Sequence, residues 1–400
     1  MINVAVMGYG TIGSGVVRVL DMNADLIAKR VKDEVKVKYI LDLRQFDGDP
    51  YAHLLTNDFN QIIEDENLDI VVETIGGTGA AYMFVKAALE AGKSVATSNK
   101  ALVAKHGPEL MQIAKDKNVS FLFEASVGGG IPILRTLQTA LTGDDIEEIT
   151  GIVNGTTNFI LSKMANSGAN FDEVLKEAQE LGYAELDPTD DIEGYDAGRK
   201  IAIMTSLVSG KQVSFENIYV EGISKLTAQD MEYATALGRS IKLLATSVKS
   251  NGTYSVMVAP FMLESSHPLY MVEGVFNAIF VKGNALGDSM YYGSGAGSLP
   301  TASAVVADIV DIAKHLHTNI DMAWSKEEAV LGESDDSKHA FFVRVKEDVN
   351  EDQIVSLFGN VEYVNAGIPD EFGFVTGVIT EKEAREKLKN LPVISKIRLA

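Results

Sequence analysis

Ile2-Asn3-Val4-Ala5-Val6-Met7-Gly8-Tyr9-Gly10-Thr11-Ile12-Gly13 opens the chain as an apolar run that halts at a glycine and passes into helical periodicity. A strand feeding a helix through G-x-G-x-x-G is the phosphate-binding turn of a dinucleotide fold. Gly8 permits the tight turn, Gly10 lets the backbone approach a pyrophosphate, and Gly13 lets the helix lie close on the strand. Thr11 and Ile12 begin the helix, whose first N–H groups and dipole favour phosphate.

Outward from this turn, apolar runs at 35–41, 70–74, 94–97 and 119–123 alternate with helical patterns at 12–20, 80–91 and 109–116. Such alternation predicts a doubly wound parallel sheet of the Rossmann type. The second run ends at Asp42, with Arg44 two residues on: an acid there holds ribose hydroxyls and a base accepts a 2′-phosphate, so both NAD and NADP remain open. Ser98 and Lys100 follow another strand at the carboxyl edge, where open parallel sheets bind ligands; an ordinary surface lysine is the alternative reading of Lys100.

From about residue 146 the texture changes. A strand at 149–153, helices at 158–165 and 171–181, a long helix after Gly194, and strands at 254–260 and 275–282 predict a second α/β domain. A glycine-rich segment with Gly293, Gly295 and Gly297 leads into a helix at 301–316. The polar stretch 333–337 reads as a linker. Beyond it the order strand, helix, strand, strand, helix, strand gives a βαββαβ, ferredoxin-like module. The expected domains are therefore residues 1–130, completed by 295–325, then 131–330, then 338–400.

Among 400 residues the 56 acids outnumber the 35 bases, for a formal charge of −21, which disfavours nucleic acid and anionic membrane surfaces. No cysteine is present, which excludes disulfides and any thioester mechanism. That removes phosphorylating aldehyde dehydrogenases from consideration. No apolar stretch reaches spanning length and no basic leader precedes Met1, so the expected location is the cytoplasm. The six histidines show no zinc spacing.

The densest segment is Leu181-Gly182-Tyr183-Ala184-Glu185-Leu186-Asp187-Pro188-Thr189-Asp190-Asp191, followed by Gly194-Tyr195-Asp196-Ala197-Gly198-Arg199-Lys200. Asp196 and Lys200 stand four apart on one helix face. Alone, such a pair is a surface ion pair worth about 0.3–0.5 kcal/mol. Asp190 or Asp191 could equally cap the following helix.

This segment resembles the signature of the homoserine dehydrogenases. Three other blocks resemble that family in its order: Glu124 to Pro132, Gly151 to Asn158 around Asn154-Gly155-Thr156-Thr157, and Tyr292 to Ala304. The resemblance covers residues 1 to about 330. It implies interconversion of L-aspartate 4-semialdehyde and L-homoserine with NADPH or NADH. It further implies Lys200 as proton donor, with Lys100 reaching the same site and Asp196 holding Lys200. Glu185 would bind the substrate ammonium, and Asp191, Gly182 and Thr156 would shape the pocket. Gly295 and Gly297 would lie against the cofactor. A monovalent cation, Na+ or K+, is implied at Glu124 and the carbonyls of Val127, Gly129 and Ile131; without the resemblance, Gly128-Gly129-Gly130 reads as a hinge between domains. The family also implies a homodimer or higher oligomer. The last module resembles an ACT domain, which implies assembly and a threonine effector, although 345–350 lacks the usual glycine.

Overall fold

The computed structural model describes residues 1–322 and 324–400. Six strands, β1 (Ile2–Met7), β2 (Val35–Leu41), β3 (Leu55–Thr56), β4 (Ile70–Glu73), β5 (Ser94–Thr97) and β6 (Phe121–Leu122), form one sheet in the order β3-β2-β1-β4-β5-β6. All pairings are parallel. That order reverses between β1 and β4, and ligands bind such sheets at the carboxyl ends beside the reversal. The apolar runs are continuous because the strands are covered on both faces: Val4, Ala5, Val6, Val71 and Val72 are fully buried.

The chain forms two compact units. The first comprises Met1–Gly143, Ala202–Phe215 and Gly293–Ala329; the second comprises Asp144–Ile201, Glu216–Tyr292 and Val330–Ala400. In the first, Gly15 packs against Ser298 and Ala302 of the helix Ser298–Lys314, where an added Cβ would meet Ser298 Oγ at 2.7 Å.

The second unit is built on one mixed sheet. Its strands are β7 (Ile146–Ile152), β8 (Tyr219–Val220), β9 (Arg239–Ser250), β10 (Thr253–Glu264), β11 (Phe276–Gly283), β12 (Gly287–Ser294), β13 (Lys338–Lys346), β14 (Glu362–Val364), β15 (Glu371–Val375), β16 (Ile379–Thr380) and β17 (Val393–Leu399). The order is β12-β11-β7-β9-β10-β17-β13-β15-β14, with β8 on β10 and β16 on β13. One face carries a core of Leu244, Met257, Ala259, Phe261, Leu263 and Ala278 with their neighbours.

Several expectations need correction. The segment 338–400 has the expected element order plus the short β16 and carries its own apolar core of Phe341, Val343, Val345, Ile354, Phe374 and Ala384, while it groups with the second unit. Its last strand pairs in parallel with β10, Phe261 opposite Arg398 and Met262 opposite Leu399, so its sheet continues the mixed sheet of the second unit. The expected linker at 333–337 is a tied-down turn: Arg385 makes a bidentate ion pair with Asp335 at 2.6–2.7 Å, and Ser337 bonds Ser255 at 2.8 Å. The helix expected at 109–116 starts at Lys100 and runs through Pro108 to Asp116. The 12-residue β9 escaped notice because residues on both its faces are buried, which erases alternation.

Candidate active site

In the first unit the glycine turn behaves as its chemistry requires. Gly8 has φ +92°, where a side chain is strained, and its Cβ would lie 2.9 Å from the Thr74 carbonyl oxygen. A Cβ on Gly13 would stand 1.9 Å from the Gly8 carbonyl oxygen, whereas one on Gly10 would project into open space. That opening lies at the N-terminus of the helix Thr11–Met22, whose unpaired N–H groups and dipole suit a phosphate. It belongs to a cleft of about 530 Å³ whose walls include Leu41, Asp42, Arg44, Phe59, Ile75 and Phe84.

Asp42 turns toward the glycine turn and is fully engaged. Its Oδ2 accepts the Tyr9 N–H at 2.8 Å and Arg44 Nη2 at 2.8 Å, and its Oδ1 accepts Arg44 N at 3.0 Å and Nε at 2.9 Å. The Arg44 side-chain bond, the largest cause, holds the carboxyl well below the usual carboxylate range against the opposing effect of burial. Arg44 itself is 61% exposed.

Sequence reasoning missed Glu73, which is fully buried at the end of β4. One oxygen accepts the N–H groups of Ile75 and Gly76 at 2.8 and 2.9 Å, the other the Thr97 hydroxyl at 2.5 Å. It thereby fixes the turns after β4 and β5. Asn99 caps the helix that Lys100 begins by accepting the Leu102 N–H, and its amide donates to the Gly77 carbonyl at 2.7 Å. Ser98 N–H donates to the Glu73 carbonyl at 3.4 Å.

The glycine-rich segments of this unit meet each other. Gly130 N–H donates to the Ser294 carbonyl at 3.0 Å, and a Cβ on Gly129 would stand 2.3 Å from the Gly295 carbonyl oxygen. Gly297, at φ +117°, precedes the helix Ser298–Lys314, and Ser298 Oγ donates to the Thr11 carbonyl at 2.7 Å. This places Gly297 next to the start of the helix Thr11–Met22 and Gly295 against Gly129.

The cation reading fits only in part. The Glu124 carboxylate accepts the backbone N–H groups of Leu134 and Arg135, at 3.0 and 2.7 Å, one on each oxygen, which leaves a lone pair on each. The Ile131 carbonyl accepts Ile133 N–H at 2.9 Å and keeps one lone pair; between Val127 and Ile131 the chain turns through Gly128 and Gly129, at φ +71° and +55°. Among the described residues no cluster of acids and histidines could hold a metal ion. Burial raises the Glu124 pKa, and burial together with the Glu124 charge pushes Asp308 up to about 8 beside Arg135 at 2.6 Å.

In the second unit, Lys200 and Asp196 are no surface pair. Their side chains are 11% and 3% exposed and stand 2.6 Å apart. Lys200 Nζ also donates to the Val153 carbonyl at 2.7 Å. The organiser is Asn154, quoted within a motif but not singled out by the sequence reading. Its Nδ2 donates to Asp191 Oδ1 at 2.7 Å and to Asp196 Oδ2 at 2.8 Å, while its Oδ1 accepts Thr157 N–H and so caps the helix Gly155–Ser167. Burial, then the neighbouring Asp196 charge, raises the Asp191 pKa. Asp190 instead pairs with Arg199 at 2.7 Å, so the two adjacent acids divide between surface and site.

Thr156 Oγ1 donates to the Tyr183 carbonyl at 2.7 Å, which ties the turn bearing Gly182 and Glu185 to the same helix end. Gly182 has φ +75°, and Glu185 presents an exposed side chain while its carbonyl accepts from Gln179 at 3.0 Å. A buried ammonium locked to a carboxylate, with further acids at its rim, suits proton exchange with a small polar substrate.

Two family models match the chain: "Homoserine dehydrogenase, NAD binding domain" over residues 8–124 and "Homoserine dehydrogenase" over 132–310. The homoserine dehydrogenase of Neisseria gonorrhoeae is 46% identical over 316 residues, 78% of this chain and 72% of that protein. The chain belongs to the homoserine dehydrogenase family. The Bacillus subtilis homoserine dehydrogenase is 43% identical over 80% of this chain and 74% of its own. A solved homoserine dehydrogenase from Thiobacillus denitrificans superimposes with TM-score 0.91 at 37% identity, covering 100% of this chain and 98% of that one. A hyperthermophilic archaeal homoserine dehydrogenase in complex with NADPH matches at TM-score 0.67 and 30% identity, over 78% and 97% of the respective chains. As a homoserine dehydrogenase the chain is an NAD(P)-dependent oxidoreductase that acts between L-aspartate 4-semialdehyde and L-homoserine, a step toward threonine, methionine and isoleucine. No helix among the described residues is long and apolar enough to cross a membrane.

Proposed function

We propose that Lys200 carries the proton in this reaction and that the second unit binds the amino-acid end of the substrate. The observation that supports this is the buried Lys200–Asp196 pair, clamped by Asn154. The dinucleotide supplies the hydride in reduction and accepts it in oxidation. In reduction, negative charge grows on the aldehyde oxygen as the carbon gains hydride, and that oxygen takes a proton from Lys200 Nζ. In oxidation the hydroxyl proton passes to Nζ. Asp196 and the Val153 carbonyl keep the amine in one place, which is the orientation that proton transfer needs. Lys100 is assigned a supporting charge at the same reaction.

Glu185 is proposed to receive the substrate ammonium, with Asp191 contributing negative charge and Thr156 and Gly182 setting the turn. For the cofactor we favour NADP. Four donors already fill the approximately four lone-pair sites of Asp42, so a ribose diol would have to displace Arg44, whereas the exposed guanidinium suits a 2′-phosphate. A monovalent cation would rest on Glu124 and the carbonyls of Val127, Gly129 and Ile131 and act structurally.

A homodimer or higher oligomer, and threonine acting through the ACT-like residues 338–400, complete the proposal; added threonine that changed neither activity nor quaternary structure would remove the regulatory part. The location proposed is the cytoplasm. The test of the substrate reading is homoserine oxidation followed at 340 nm, with wild type beside Glu185→Gln. The variant is expected to raise KM for homoserine at least about tenfold, the order lost with one charge-assisted contact, and to leave KM for NADP unchanged. A homoserine KM within twofold of wild type would take Glu185 out of the site.

A further inference from the structure

The third residue from the end of the sequence, Arg398, is fully buried although it is charged. Its Nε donates to Glu381 and its Nη1 to Glu221 Oε2 at 2.7 Å, and its guanidinium lies 5.2 Å from the centre of the Tyr219 ring. The pairing with Glu381 stays within the carboxyl-terminal segment. The one with Glu221 reaches the short stretch that follows β8.

That stretch supports the turn between Asp191 and Asp196. Glu221 N–H donates to the Val258 carbonyl at 2.8 Å, which fixes the stretch along β10. Ile223 N–H donates to the Ile192 carbonyl at 2.8 Å. A Cβ on Gly222 would stand 2.3 Å from the Ile192 carbonyl oxygen and 2.5 Å from Glu193 Cα, so backbone lies directly on backbone. Gly194, at φ +82°, has Val220 and Val258 each 3.1 Å from where its Cβ would be. Displacing 219–223 therefore displaces Ile192, Glu193 and Gly194, and with them the two carboxylates that Asn154 bridges.

We infer that Arg398, acting through Glu221, is a positioning residue for the substrate-side turn 189–196, and that residues 338–400 set substrate affinity through this contact even with no effector bound. The inference rests on the reading of 182–200 as the substrate-binding segment.

The test uses Glu221→Gln in the full chain. Glu221 is one-third exposed, so the variant keeps the shape of the contact and removes its charge with little threat to folding. The expected result is a rise of about tenfold in KM for homoserine, one such contact's worth, with kcat within about threefold and KM for NADP unchanged. Amide exchange at Ile223 and across 189–194 is expected to accelerate. Asp230→Asn serves as the comparison, because Asp230 holds the module's other buried arginine, Arg344, at 2.7 Å from the helix Ala228–Ala236. It should lower Tm and leave KM for homoserine unchanged.

An unchanged KM and exchange in Glu221→Gln would overturn the inference, as would equal rises in KM in both variants, which would mean general loosening. If Glu221→Gln failed to fold, Arg398→Lys would replace it with the same expected split. Glu185→Gln and Asp191→Asn, assayed alongside, separate the two ideas. If they leave KM unchanged, the substrate-segment reading fails; if they raise it while Glu221→Gln does not, only the positioning role fails.

Discussion

Replacing Asn154 by Asp isolates the polar clamp from the helix it begins. Asp caps a helix as well as Asn does, so the bond to Thr157 N–H is kept. What is lost is the pair of donors to Asp191 and Asp196, at 2.7 and 2.8 Å. Hydrogen bonds to charged groups contribute roughly 1.5–3 kcal/mol each, so about 3–6 kcal/mol of restraint disappears. A third carboxylate also joins two others, one of which already has a raised pKa. If only a third of the lost restraint is felt in the transition state, kcat/KM for homoserine falls about 5- to 30-fold. The assay is kcat/KM between pH 6 and 10 together with Tm. The profile of the variant should shift upward in pH, because added negative charge favours bound protons. Asn154→Ala, which loses the cap too, should cost a further ~1 kcal/mol of stability. An Asn154→Asp enzyme within twofold of wild type, with an unmoved pH profile, would refute the clamp.

Arg44→Ala should lower kcat/KM for NADP by about 10- to 100-fold, the loss expected of one charge-assisted phosphate contact, and improve NAD by freeing Asp42; steady-state kinetics with both cofactors checks this, and an equal loss for both would contradict it. Burial pushes Lys242 down from 10.5 to about 8, with its Nζ on the Val272 carbonyl at 2.7 Å. Its folded pKa thus lies below its unfolded value, and its contribution to stability rises as pH climbs from about 8 to 10.5. Keeping it charged at pH 7 costs about 3 kcal/mol by that shift, so Lys242→Met should be the more stable protein at pH 7 by up to about that amount. The advantage should vanish by pH 10.5 in denaturant titrations; a variant less stable at pH 7 would contradict the assignment. Gly13→Ala should abolish cofactor binding or folding, since its Cβ would lie 1.9 Å from a carbonyl oxygen; an active Gly13→Ala enzyme would show that the turn relaxes.

Much of the first unit was legible because its signals are local. Gly8, Gly10 and Gly13 fall within six residues directly after an apolar strand, and strands buried on both faces read as plain apolar runs. The Asp196–Lys200 pair was legible as a pair, but its burial was not, since the cover comes from residues such as Val153 and Asn154 more than forty positions away. Asn154 itself left only a weak sign, an Asn ahead of Gly-Thr-Thr at a helix start. Glu73 left none, because nothing local tells a buried acid that satisfies turn N–H groups from a solvated one. The segment 338–400 has the pattern of a free-standing module, and its continuation of the β10 edge through β17 depends on a pairing 137 positions distant, Phe261 with Arg398.

Proton transfer in both directions requires the amine of Lys200. Homoserine oxidation by Lys200→Met, with NADPH binding measured in parallel by fluorescence, addresses it directly. Loss of a positioned proton carrier should reduce kcat by about 10²- to 10⁴-fold while the NADPH dissociation constant stays within twofold. A variant that turns over within threefold of wild type across pH 7–10 would contradict it.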